Sequence, residues 1–166
     1  MIVAVKVPEI ARKRLSMRAE GSAGNLPNLA LVLQGLHITE AGRKHGFEYR
    51  IYLNLPKKRS LEDKHEDFFV GVINSFQLSH HQNEESILVF ALGRLAPALA
   101  KKGLWNSDEV NIALVSDETE TKEPLVTFKN VALVLAQAQI TPEALRALTK
   151  KITPAHLHHP HAAQEK

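Results

Sequence analysis

Apolar and polar residues alternate along much of this chain. The pattern is cleanest where Phe47, Tyr49, Ile51, Leu53 and Leu55 share one parity while Glu48, Arg50, Tyr52 and Asn54 share the other. Successive side chains on a strand point to opposite faces, so this stretch predicts a half-buried strand. A second run places Phe68, Val70, Val72, Phe76 and Leu78 on a common face, interrupted by Asn74, and ends in a polar stretch over 79–85. Residues 87–92 are apolar at both parities, the expected signature of a central strand covered on both sides. Val110, Ile112 and Leu114 predict another one-sided strand, followed by an acidic turn over 117–123. Val126 and Phe128 then share one parity while Val131, Leu133 and Leu135 share the other, so Lys129-Asn130 is expected to be a bulge or a corner where the strand changes face. Leu29, Leu31 and Leu33 alternate up to Gly35, Leu36 and Ile38 resume on the opposite parity, and a short β-branched run over 2–7 is ended by Pro8.

Helical signals are fewer. Residues 94–102 predict one short helical turn around Pro97, closed by Gly103. Thr141-Pro142-Glu143 supplies an N-cap, a first-turn proline and an acidic first turn for a C-terminal helix. Together these elements predict an all-β fold, an antiparallel β-sandwich or jelly-roll-like barrel of about seven strands. The expected organisation is a first strand over 1–8, a linker or long loop over 9–28, and the sandwich over 29–137. A C-terminal helix over 138–152 and a His-rich tail over 153–166 complete the chain.

Composition narrows the chemistry. The 166 residues are 44% apolar, 23% charged and 5% aromatic, which suits one globular core. With no cysteine there are no disulfides, no Cys-ligated metals and no thiol catalysis, a composition compatible with the cytoplasm. No apolar run reaches the length of a membrane span. The net charge of +3 is small, and the basic clusters Arg12-Lys13-Arg14 with Arg18, and Lys57-Lys58-Arg59, lack interleaved aromatic residues. They read as solvated linker and loop, and no nucleic-acid or membrane partner is expected. The eight glycines are scattered, so no phosphate loop, dinucleotide fingerprint or Gly-x-Ser-x-Gly elbow is present.

The histidines are the residues most able to hold a metal. His80-His81, with Glu84 and Glu85 nearby, loosely fits a metal loop, but adjacent residues on an extended chain face opposite ways. His156, His158, His159 and His161 could grip a transition metal as any His-rich tail can. The polar-loop and solvated-tail readings stand beside both. Trp105, the only tryptophan, is expected to pack against the sandwich.

In order, the strands resemble the C-terminal β-sandwich domain of tyrosinases and plant-type polyphenol oxidases, the type-3 copper proteins. Leu31-Val32-Leu33-Gln34-Gly35-Leu36-His37-Ile38 is similar to the family's apolar strand with an internal glycine. Phe47-Glu48-Tyr49-Arg50-Ile51-Tyr52-Leu53-Asn54 resembles the strand carrying the K-F-D-V signature, with His45-Gly46 in place of the lysine side and Glu48 in the acidic place. Asp67-Phe68-Phe69-Val70-Gly71-Val72-Ile73-Asn74-Ser75-Phe76 is similar to the E-F-A-G-S-F strand with extra residues after Gly71. The stretch over 3–8 and the basic segment after it resemble the join to the catalytic domain. The likeness extends over about residues 1–137.

That resemblance implies a non-catalytic domain lying over a dicopper site, keeping the enzyme latent until the linker is cut or the domain shifts, and assisting folding or copper loading. It implies no cofactor in this chain, two copper ions in a partner catalytic domain, and a phenol oxidase as the parent enzyme. No motif fixes the blocking side chain; Phe76 or Leu78, ahead of the His80-His81 loop, is the candidate, beside the reading of both as ordinary core residues, and His80, His81, His156, His158, His159 and His161 are the residues left for copper handling. The exposed 9–27 linker is the expected cleavage site. The alternative is a stand-alone β-sandwich that binds a protein or carbohydrate; a small cupin-like metalloenzyme is disfavoured by histidines that are adjacent rather than alternating.

Overall fold

The structure is a computed structural model that describes residues 2–19, 29–55, 65–79, 86–105, 108–116 and 123–135. The expected C-terminal helix over 138–152, the tail over 153–166 and the His80-His81 loop lie outside the described residues.

The strands are β1 (Ile2–Lys6), β2 (Leu29–Gln34), β3 (His37–Ile38), β4 (Glu48–Leu53), β5 (Phe69–Asn74), β6 (Ile87–Ala91), β7 (Glu109–Ser116), β8 (Val126–Thr127) and β9 (Asn130–Leu135). They form a four-stranded sheet in the order β1-β7-β4-β5, a three-stranded sheet β6-β2-β9 and a two-stranded ribbon β3-β8. Every pairing is antiparallel. The two larger sheets share one core, and their outer strands approach each other, β1 beside β9 and β5 beside β6. The fold is therefore all-β and sandwich-like, and no closed barrel forms among the described residues.

Alternation sets the inward faces. Phe47, Ile51 and Leu53 are buried and Tyr49 packs against the core, as their parity predicts. Ile51 lies opposite Leu114, and Leu53 opposite Ile112. Val3 and Val5 oppose Ile112 and Val110, so three strands of this sheet present aliphatic side chains to one side. From the other sheet Leu29, Leu31 and Leu33 meet them, flanked by Leu133 and Val131. Each such side chain contributes about 1.5–3 kcal/mol when fully buried. Trp105 is buried in the same core, as expected.

The corner at Lys129-Asn130 is present: β8 belongs to the ribbon with β3, and after the two intervening residues β9 pairs with β2. Gly35, at φ 65°, lets the chain turn on the facing side, where the Lys129 N–H donates to the Gln34 carbonyl at 2.9 Å.

Four expectations change. The segment expected as linker is helical over its first part, as α1 (Glu9–Ala19), with Ala11 and Leu15 in the core. Among the described side chains Ala11 and Leu15, four positions apart, face inward, and the basic cluster between them hides the period. Lys13 pairs with Glu9 at 2.8 Å, and Arg12 pairs with Asp108. The strand covered on both sides is β2, whereas β6 is an edge strand with Val89 exposed. On β5 the buried residue is Ile73, with Gly71 on the same face; Phe68 and Val70 pack against the core as expected, but the bulge at Val70 breaks the phase and Val72 faces outward. Helix is also more frequent than one turn. Besides α1 there are α2 (Glu40–His45), α3 (Ser75–Ser79) and the expected α4 (Leu95–Lys101), with a 3-10 turn at His65–Phe68.

Candidate functional site

Two features are built around β4 and β5. The first is a knob. β5 ends at Asn74, whose Oδ1 accepts from the Gln77 N–H at 2.9 Å and opens α3. The Ser75 N–H donates to the Phe47 carbonyl at 3.0 Å, anchoring the start of α3 to the chain entering β4. The Ser79 hydroxyl donates to the Phe76 carbonyl at 2.7 Å. In this single turn Leu78 is 2% exposed and belongs to the core, while Phe76 is 75% exposed. An apolar ring that accessible has gained little of its burial free energy, about 1.5–3 kcal/mol for a side chain of this size.

The second is a groove on the outer face of the four-stranded sheet. Glu48, Arg50 and Tyr52 project from β4 at alternate positions, beside Val72 and Phe69 of β5. The bulge builds this arrangement: Ile51 opposes Gly71, but Tyr52 opposes Phe69, leaving Val70 as the extra residue. Without it Phe69 would share the parity of Gly71 and Ile73. Instead its ring meets that of Tyr52 edge-on, with centroids 5.8 Å apart, and is 41% exposed. The His65 ring meets Tyr52 edge-on at 6.3 Å, and its Nδ1 is buried without a hydrogen-bond partner. With Glu66 these residues line an open cavity of about 820 Å3. Lys102 at the end of α4 holds Asp67 at 2.6 Å, which fixes the 3-10 turn bearing His65.

The face thus combines aromatic area with a His, an Arg and two carboxylates, residue types that contact surfaces use. Among the described residues no group of three or more His, Cys, Asp and Glu could hold a metal ion. His80, His81, His156, His158, His159 and His161 lie outside the described residues, so the structure does not bring them together or keep them apart. Of the sequence-derived candidates it describes Phe76 and Leu78, and it separates them, one outside and one inside.

The groove was not singled out from sequence. Its signal was the aromatic Tyr52 on the otherwise polar parity of β4, together with the doubled Phe68-Phe69.

The chain matches no protein-family model and no curated protein. It is similar in structure to recombinantly expressed latent aurone synthase, a polyphenol oxidase, co-crystallized with hexatungstotellurate(VI): the TM-score is 0.51 at 14% identity. That match covers 81% of this chain and 23% of the other. A second structure of recombinantly expressed latent aurone synthase matches with a TM-score of 0.50 at 15% identity, over 82% of this chain and 24% of that one. Latent apple tyrosinase matches with a TM-score of 0.47 at 18% identity, over 81% and 25%. The chain therefore spans about a quarter of the length of these proteins, and what it shares with aurone synthase at these identities is a fold.

Proposed function

We propose that this chain is a non-catalytic C-terminal domain of a tyrosinase or polyphenol oxidase, and that it covers the dicopper site of the catalytic domain and keeps the enzyme latent. The observation that carries this reading is the fold shared with latent aurone synthase over 81% of this chain and only 23% of that enzyme.

In this reading Phe76 is the blocking side chain. Leu78 is part of the core and cannot leave it without opening a cavity. A tethered domain competes with substrate at an effective concentration on the order of 1 mM, so contacts totalling about 5–6 kcal/mol, of which this ring is one, are enough for tenfold closure. Burial of the ring against the catalytic domain contributes about 1.5–3 kcal/mol, which is ten- to a hundred-fold in occupancy. The chain performs no oxidation itself, and the copper ions belong to the catalytic domain. Assistance with copper loading falls to His80, His81 and the tail histidines.

Association is the first test. A dicopper polyphenol oxidase catalytic domain is expected to bind this chain in calorimetry, and Phe76→Ala is expected to weaken the complex about tenfold. No binding at millimolar concentration would reject the reading in favour of a free-standing binding module. Removal of residues 154–166 is expected to lower copper incorporation during co-expression; equal copper content by elemental analysis would remove the tail from this role.

A further inference from the structure

Residues 2–19 enter the fold as a strand followed by a helix, and each half docks on a different element. β1 pairs with β7 over its whole length, from Ile2 opposite Ala113 to Lys6 opposite Glu109. One step on, the Val7 N–H donates to the Asp108 carbonyl at 2.7 Å. Val3, Val5 and Val7 alternate into the core. The chain then passes Pro8 into α1, which packs against α4 and buries Ala11 and Leu15. Arg12 closes the unit by pairing with the carboxylate of the same Asp108. The hydrogen bond to Asp108, and then its charge, hold this guanidinium protonated beyond its ordinary range.

Without this segment β7 would become the edge of a three-stranded sheet, with a row of backbone donors and acceptors bare and Val110 and Ile112 stripped of their β1 neighbours. The receiving surface is therefore specific in three ways: a strand edge with fixed register, an apolar slot whose positions alternate, and a helix face beyond it.

We propose that the β7 edge and α4 form a receptor for a strand–helix segment, which holds residues 2–19 in place without a covalent connection, so that a cut between residues 19 and 29 leaves the segment seated. Strand addition to a sheet edge gains main-chain hydrogen bonds and side-chain pockets together. Here the helix contact adds a second, linked point of attachment, which slows release further. Anything joined ahead of residue 2 stays bound to the domain after such a cut. The inference concerns this chain alone and holds whether or not the domain shields a copper site; where it does, cleavage in this stretch does not by itself remove the shield.

The test is to insert the recognition sequence of a site-specific protease between Ser22 and Ala23 of the full chain, cut to completion and run size-exclusion chromatography at low-micromolar concentration. The two fragments are expected to elute together with the circular dichroism of the uncut chain. Val5→Asp, which puts a carboxylate into the apolar slot, is expected to fold while intact and to separate once cut. If Val5→Asp does not fold before cutting, Arg12→Ala, which removes only the exposed clamp, is expected to release the cut fragment several-fold faster. Wild-type fragments that separate would overturn the proposal, as would fragments that stay together undiminished in the variant tested.

Discussion

At the scale of single residues, backbone geometry explains what composition leaves open. Gly42 sits in α2 beneath the Leu125 carbonyl, and a Cβ there would lie 2.0 Å from that oxygen. The same carbonyl accepts from the Thr39 N–H, while the Thr39 hydroxyl accepts from the Gly42 N–H and donates to the Pro124 carbonyl. The contact cannot widen without breaking the cap of α2. Gly103, by contrast, has φ 71° and open space around its Cβ position. Gly42→Ala is expected to cost about 3 kcal/mol or more and Gly103→Ala about 1 kcal/mol, read from urea denaturation followed by the fluorescence of Trp105. Equal costs would contradict the close approach at Gly42. The sequence placed Gly103 at the close of a helix, but the contact at Gly42 was not legible in it, because only tertiary packing brings the Leu125 carbonyl there.

Elements were legible where one face alone is buried. The strands around Ile51 and Ile112 announce themselves because their outward positions carry Glu48, Arg50, Glu109 and Asn111. β2 and β6 were harder, since both are apolar throughout and only pairing reveals that β2 is central and β6 at the edge. The bulge in β5 stayed hidden because Gly71, on the inward face, leaves its side of the pattern nearly blank. That glycine has a function in packing: the Phe90 ring of β6 lies where its Cβ would be, at 2.7 Å, closing the two sheets at this edge. The knob on α3 makes a sharper test. Phe76→Ala is expected to change stability by less than about 0.5 kcal/mol, whereas Leu78→Ala is expected to cost about 2–5 kcal/mol, both from thermal or urea unfolding. A large loss at Phe76 would mean that its exposed ring supports the fold. The site was thus half visible in advance: Phe76 could be named from its strand-end position, but its separation from Leu78 required the turn of helix that exposes one and buries the other.

For the whole molecule, the sandwich order places β1 and α1 as a part held by the remainder, while the rings of Phe76 on α3 and Phe69 on β5 stay exposed. The four-stranded sheet is completed by the segment that precedes it in the chain, so integrity of the domain and its attachment to anything upstream depend on the same contacts. This coupling suits a shielding domain, which must stay folded and stay close while its knob is withdrawn. The measurement that bears most directly on that role is phenol oxidation by the catalytic domain of latent aurone synthase fused ahead of Ile2. The fusion is expected to be latent, with activity at least about tenfold below that of the free catalytic domain, and Phe76→Ala is expected to restore most of it. A fusion as active as the free catalytic domain, or one that stays equally latent after Phe76→Ala, would contradict the account.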